Sequence, residues 1–189
     1  MFRLTRPSDE TIRAHLERQK SFPYSYADVG ATAKLERAPD GFDFDQNRRR
    51  LGSGPAVFEA ACDAVRRWKM FELGWVELCW PDEPVEVGSV VGVLAYTLGI
   101  WSLSACRVVY TVDEPNRFGF AYGTLPGHVE RGEERFSVER DDDGDIWYEI
   151  RAFSRPRHPL ARLGYLWVRS LQRRFARDSM AVMQLAVGD

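Results

Sequence analysis

With 189 residues, 44% of them hydrophobic and 13% aromatic, the chain carries enough apolar material for a sizeable core, which argues against global disorder. A net charge of −2 argues against a protein built mainly to hold nucleic acid. The length favours a single domain spanning residues 1–189.

Ser8 is placed to cap a short helical appendage over about 8–20, with Asp9 and Glu10 in the first turn where negative charge suits the helix dipole. Ile12 and Leu16 give it one narrow apolar face, and Ser21-Phe22-Pro23 ends it. Tyr26 to Glu36 reads as a first strand, closed by the turn-like Ala38-Pro39-Asp40-Gly41, and DFDQNRRRLGSGP follows as a polar patch. Gly54-Pro55 opens a second helix, because proline at the first helical position loses no needed donor. Its apolar face runs through Phe58, Ala61, Val65 and Trp68 to about Phe71, and Gly74 ends it.

From Trp75 the period changes to two. Trp75–Trp80, Val87–Tyr96, Ile100–Val112, Arg117–Leu125, Glu133–Arg140 and Ile146–Phe153 read as six strands joined by short turns, an antiparallel meander. Asp141-Asp142-Asp143-Gly144 is the strongest of the hairpin turns. A C-terminal helix over about 158–186 follows, with Leu160, Leu163, Trp167, Leu171, Phe175, Val182 and Ala186 on one stripe. Arg162, Arg169, Arg173, Arg174 and Arg177 mark its other side.

Cys62, Cys79 and Cys106 are widely spaced, each in an apolar run, as expected of buried free thiols in a reducing compartment. The N-terminus lacks a signal-like apolar core, and no apolar run reaches transmembrane length, so a soluble cytoplasmic protein is the expectation. Lys20, Lys34 and Lys69 are the only lysines among 26 basic residues, a bias attributable to codon usage.

An antiparallel sheet that is apolar on one face needs a cover, and the C-terminal helix is the only element large enough. The fold class is therefore α+β: a curved antiparallel sheet of about seven strands wrapped around a long C-terminal helix, with a space between them. That element order resembles the START-like helix-grip superfamily of lipid-transfer and plant-allergen-type folds, which implies a cavity for apolar molecules. The segments SYADVGAT (25–32), LGSGPAVFEAACDAVRRWKMFELGW (51–75), ACRVVY (105–110), FAYGTLPGHVERGEERF (120–136) and AFSRPRHPLARLG (152–164) are similar to the family known as domain of unknown function 1990, of UPF0548 type. This resemblance spans nearly the whole chain and implies a fold, with no activity attached.

The candidate cavity residues come from the strands and their loops. His128, in YGTLPGH before Glu133 and Glu134, is either a general base or head-group ligand, or a loop histidine holding a turn. Adjacent strand residues point to opposite faces, so at most one of the two glutamates faces a cavity, and Glu133 is the candidate. Arg107 and Arg151 either anchor an anionic head group or pair with carboxylates such as Glu149 across strands. Trp101, Tyr122 and Tyr148 either line the space or belong to the core, and Thr124 completes the set.

No nucleophile elbow, P-loop or metal-ligand spacing is present, and no cofactor is expected. Gly52-Ser53-Gly54 lacks the lysine of a phosphate loop and reads as a turn. The leading expectation is a protein that binds a hydrophobic, lipid-like or amphipathic small molecule, with no nucleic-acid partner and no transmembrane segment. The alternatives are an acid–base enzyme of cyclase or hydrolase type on the same scaffold, or a protein that docks on a partner or membrane through its basic C-terminal helix.

Overall fold

The computed structural model describes residues 1–34, 37–80, 82–157 and 164–188. Its strands are β1 (Phe2–Arg3), β2 (Asp43–Ser53), β3 (Val76–Cys79), β4 (Val90–Thr97), β5 (Ile100–Glu114), β6 (Arg117–Thr124), β7 (Glu130–Arg140) and β8 (Asp145–Pro156). The helices are α1 (Asp9–Lys20), α2 (Pro55–Arg66) and α3 (Tyr165–Ala186), with 3-10 turns at Ala31–Ala33 and Lys69–Phe71. All strand pairings are antiparallel, in the order β2-β8-β7-β6-β5-β4-β3, with β1 added to β5. The sheet curls into a half-barrel with the C-terminal helix against it, so the α+β helix-grip expectation holds.

Strand alternation divides the sheet between two cores. The concave face sends Val91, Cys106, Val108, Phe120, Tyr122, Phe136, Val138, Tyr148 and Ile150 against α2, the Trp68–Phe71 turn and the C-terminal half of α3. Aromatic rings interlock there: Trp68 meets Phe120 edge-on at 4.6 Å, and Phe71 lies 5.5 Å from Phe136. The convex face carries a smaller cluster in which Ile12 and Leu16 of α1 cover Leu94, Leu103 and Ala105. Ser8 caps α1 through the Thr11 amide, and Arg107 closes its other end by donating to the carbonyls of Gln19, Lys20 and Phe22.

Three sequence expectations are corrected. The segment from Tyr26 is not a strand: it bends into the Ala31–Ala33 turn, and Leu35 and Glu36 lie outside the described residues. Its amides are diverted, Gly30 N and Thr32 N donating to the Glu133 carboxylate instead of to a neighbouring strand. The polar patch DFDQNRRRLGS is a full strand, β2, paired along β8 at the edge of the sheet. Half its side chains meet solvent, so its composition hides a strand held by backbone pairing and by ion pairs such as Arg50–Asp145 at 2.7 Å.

The third correction concerns the stripe on α3. The buried residues are Ala176, Ser179, Met180 and Met183, whereas Trp167 is exposed. Small side chains at 176 and 179 let the helix approach closely, and Ser179 is satisfied by the Tyr148 hydroxyl at 3.0 Å. Leu160 and Leu163 lie outside the described residues.

Candidate functional site

The two halves of α3 meet the sheet differently. From Ala176 onward the helix packs directly on the core. From Tyr165 to Arg174 it is held mainly by polar tethers, before Phe175 packs on Phe71 and Phe136. Tyr165 donates to Asp43 at 3.0 Å, Arg169 grips both oxygens of Asp45 at 2.5 and 2.6 Å, and Gln172 reaches Glu130 at 2.7 Å and Ser154 at 2.9 Å. The gap beneath this half is a cavity of about 250 Å³. One side is apolar, with Val93, Ala95, Ile150, Leu171 and Phe175 in its wall. The polar groups gather on the side of β2, β7 and the 125–130 loop.

Glu130 and Glu134 dominate that side. They stand four residues apart on β7 and face the same way, with Gly132 between them offering no side chain. Gly132 itself sits at φ +152°, where a Cβ would run into the Phe153 carbonyl. Glu134 accepts from the Tyr122 hydroxyl at 2.8 Å. Burial among apolar neighbours pushes both carboxyls up to about 7, against the help of Gln172 and Arg169 at Glu130 and of Tyr122 at Glu134. Near neutral pH each is therefore divided between acid and carboxylate.

His128 closes the same end. The Glu130 amide donates into its Nδ1 at 2.9 Å, which places the imidazole proton on Nε2. Burial lowers its pKa to about 4, so the ring is neutral at physiological pH. The loop that carries it is pinned from three directions: Gly127 N donates to Gln19 at 2.9 Å, Arg157 donates to Pro126 O at 2.5 Å, and His128 N donates to Leu125 O at 2.9 Å.

Of the residues expected from sequence, Tyr122, Thr124 and His128 are brought together in the cavity wall. The Thr124 hydroxyl is already engaged by Ser25 and Gly132. Glu133 borders the cavity, but its side chain points to the convex face and receives Tyr26, Gly30 and Thr32. Tyr148 lies under the packed half of α3, engaged by Ser179, outside the cavity. Arg107 caps α1, Arg151 pairs with Glu149 at 3.0 Å on the convex face, and Trp101 stacks on Tyr96 at 4.8 Å. These five side chains do not meet in one site.

Sequence reading missed Glu130, Glu134, Asp45 and Gln172. The register of β7 decides between Glu133 and Glu134, and the Phe136 and Val138 alternation carried the needed signal: even-numbered residues of β7 face the core. Asp45 was hidden because β2 was not recognised as a strand. Gln172 had no local signal, since its role depends on where α3 crosses the sheet.

A family model described as a domain of unknown function (DUF1990) matches residues 25–182. The UPF0548 protein of Dictyostelium discoideum is 38% identical over 208 residues, covering 100% of this chain and 96% of that protein. The UPF0548 protein of Deinococcus radiodurans is 37% identical over 199 residues, covering 100% of both. Among solved structures, human STARD10 superposes with a TM-score of 0.50 at 12% identity, over 97% of this chain and 80% of that one. The hypothetical protein jhp0584 from Helicobacter pylori gives a TM-score of 0.55 at 11% identity, over 79% of this chain and 94% of that one. At these identities the structural likeness is one of fold alone.

Proposed function

Because the chain belongs to the family of domain of unknown function 1990 and has the START-like helix-grip fold, we propose that it binds one small amphipathic organic molecule beneath the N-terminal half of α3. The observation that carries this reading is the cavity of about 250 Å³, with apolar side chains from β4, β8 and α3 and a small group of polar ones, chiefly from β2, β7 and the 125–130 loop, in its wall. Ligand sites of roughly 300–1,000 Å³ hold drug-sized molecules. The smaller volume suits a single-ring or short-chain molecule and is too small for a two-chain lipid. Tyr122 stands in the wall without filling the space.

The cavity draws on elements from Asp45 to Ala176, so this reading treats the chain as one domain. It places binding in the cytoplasm, where the buried thiols Cys62, Cys79 and Cys106 stay reduced. Among the described residues no helix is long and apolar enough to cross a membrane.

Native mass spectrometry of the purified protein, followed by organic extraction, tests the reading. The expected result is a small bound mass, about one per chain, released on denaturation. Bare protein that also binds no member of a set of small apolar fragments overturns it.

A second reading is favoured by one specific observation. Two carboxyls brought to about 7 beside a neutral imidazole are equipped to give and take protons at neutral pH. In this reading Glu134 or Glu130 transfers a proton to or from the bound molecule. Incubating the extracted ligand with the protein distinguishes the two: conversion lost in Glu134→Gln supports catalysis, and an unchanged ligand leaves binding alone.

A further inference from the structure

We propose that the molecule this cavity takes is an organic amine, its cationic nitrogen paired with the Glu130 or Glu134 carboxyl and its apolar body against β4 and α3. The inference rests on the binding reading above and names the ligand class.

It follows from which groups already have partners. Asp45, the third carboxylate of the wall, is neutralised by both nitrogens of Arg169. Arg169 also donates to the Gln172 carbonyl oxygen, and the Gln172 amide nitrogen serves Glu130 and Ser154. Tyr122 gives its proton to Glu134. Glu130 and Glu134 thus each accept one neutral hydrogen bond, and among the described residues neither has an ion pair or a second donor.

Asn47, Ser104 and His128, which also line the cavity, are neutral donors and carry no balancing charge. Arg173 reaches the wall, but it is exposed, so its charge is held in water. Among the described residues of the wall, two inward carboxyl groups are therefore without an ion-pair partner. Two half-buried carboxyls are costly to ionise without a counter-charge, and a cation beside either one lowers that cost while supplying it a charged donor. Between them Gly132 presents only backbone to the cavity wall. A hydroxyl ligand supplies a donor without the charge. A carboxylate ligand meets repulsion.

The test uses three probes with one apolar body: phenethylamine, phenethyl alcohol and phenylacetate, each titrated into the full-length protein at neutral pH and followed by amide-resolved NMR. The expected order is amine first, at least about tenfold tighter than the alcohol, with phenylacetate weakest. Glu130→Gln/Glu134→Gln together bring the amine to the level of the alcohol, and each single exchange gives part of that loss. An amine no tighter than the alcohol, or a preference that survives in the double variant, overturns the amine assignment and leaves the cavity reading standing. Phenylacetate as the tightest probe overturns it too, and moves recognition to Arg173. If none of the three perturbs the cavity wall, the binding reading itself fails, and this inference fails with it.

Discussion

Glu133 and Glu134 are neighbours in sequence and serve opposite faces of β7. Glu133 reaches outward, where the Tyr26 hydroxyl and the Gly30 amide donate to it at 2.7 Å and the Thr32 amide at 3.0 Å. Glu134 reaches inward to the cavity, with the Tyr122 hydroxyl at 2.8 Å. One carboxylate locks the fold and the other is available to a ligand. The distinction follows from the two-residue period of a strand.

The outward carboxylate is a stability element. Glu133→Gln keeps the shape but removes the charge that four donors converge on, Thr32 Oγ1 among them. We expect a loss of about 2–4 kcal/mol, because buried donors are left with a weaker acceptor. Urea denaturation measures it, and a loss well under about 1 kcal/mol would show that the 24–34 loop is held by something else. Ligand binding in the folded fraction stays as in the parent protein.

Beside that lock, Gly123 lies under Tyr26, and an added Cβ would overlap the tyrosine hydroxyl. Gly123→Ala is therefore expected to cost roughly 1–3 kcal/mol. In a Tyr26→Phe background the same exchange costs less, since the most severe overlap is gone and only the ring-carbon contacts at 2.9 Å remain. Equal costs in the two backgrounds of a double-mutant cycle would disprove the contact.

The inward carboxyls make stability depend on pH in a defined direction. Glu130 and Glu134 go from an ordinary 4.5 to about 7 on folding, so over that interval the folded protein holds protons that the unfolded chain has lost. Their contribution is present below 4.5 and is lost as pH rises through about 7. His128 works in the opposite sense: lowered from 6.5 to about 4, it favours folding above 6.5 and loses that contribution as pH falls through about 4. Where the windows overlap, two carboxyls outweigh one imidazole. The melting temperature should therefore be higher near about pH 5 than near about pH 7.5. Glu130→Gln/Glu134→Gln should abolish or reverse that difference in a differential scanning experiment.

The two halves of α3 should part company when a tether is cut. Arg169 holds the stand-off half to β2 through Asp45. Arg169→Met removes this grip and leaves Asp45 with no donor from α3. Hydrogen exchange should then speed up across Val168–Arg174, while amides from Phe175 onward, anchored by Phe175, Met180, Met183 and the Tyr148–Ser179 bond, keep their protection. Uniform acceleration along the whole helix would argue against two separately held halves.

Much of the architecture was legible locally. The period-two runs from Val76 to Phe153, the Asp141–Gly144 turn, the Ser8 cap and Pro55 at the start of α2 are short-range signals, and each lies where local chemistry puts it. Where reading failed, a partner far along the chain had overridden local preference. Tyr26–Ala33 is bent because Glu133, about a hundred residues away, takes its amides, and β2 is a strand because β8 offers it an edge.

The site divides along the same line. Sequence by itself determined the helix-grip order of elements and the rule that at most one of Glu133 and Glu134 faces inward, because these follow from periodicity. The tertiary structure decided which one it is, that Asp45 is matched by Arg169 while Glu130 and Glu134 are not, and that α3 stands off from the sheet over half its length. Those outcomes depend on register and on the distance between a helix and a sheet. Both are set by the packing of Ala176, Ser179 and the aromatic core, through contacts between residues far apart in sequence, and no window along the chain contains them.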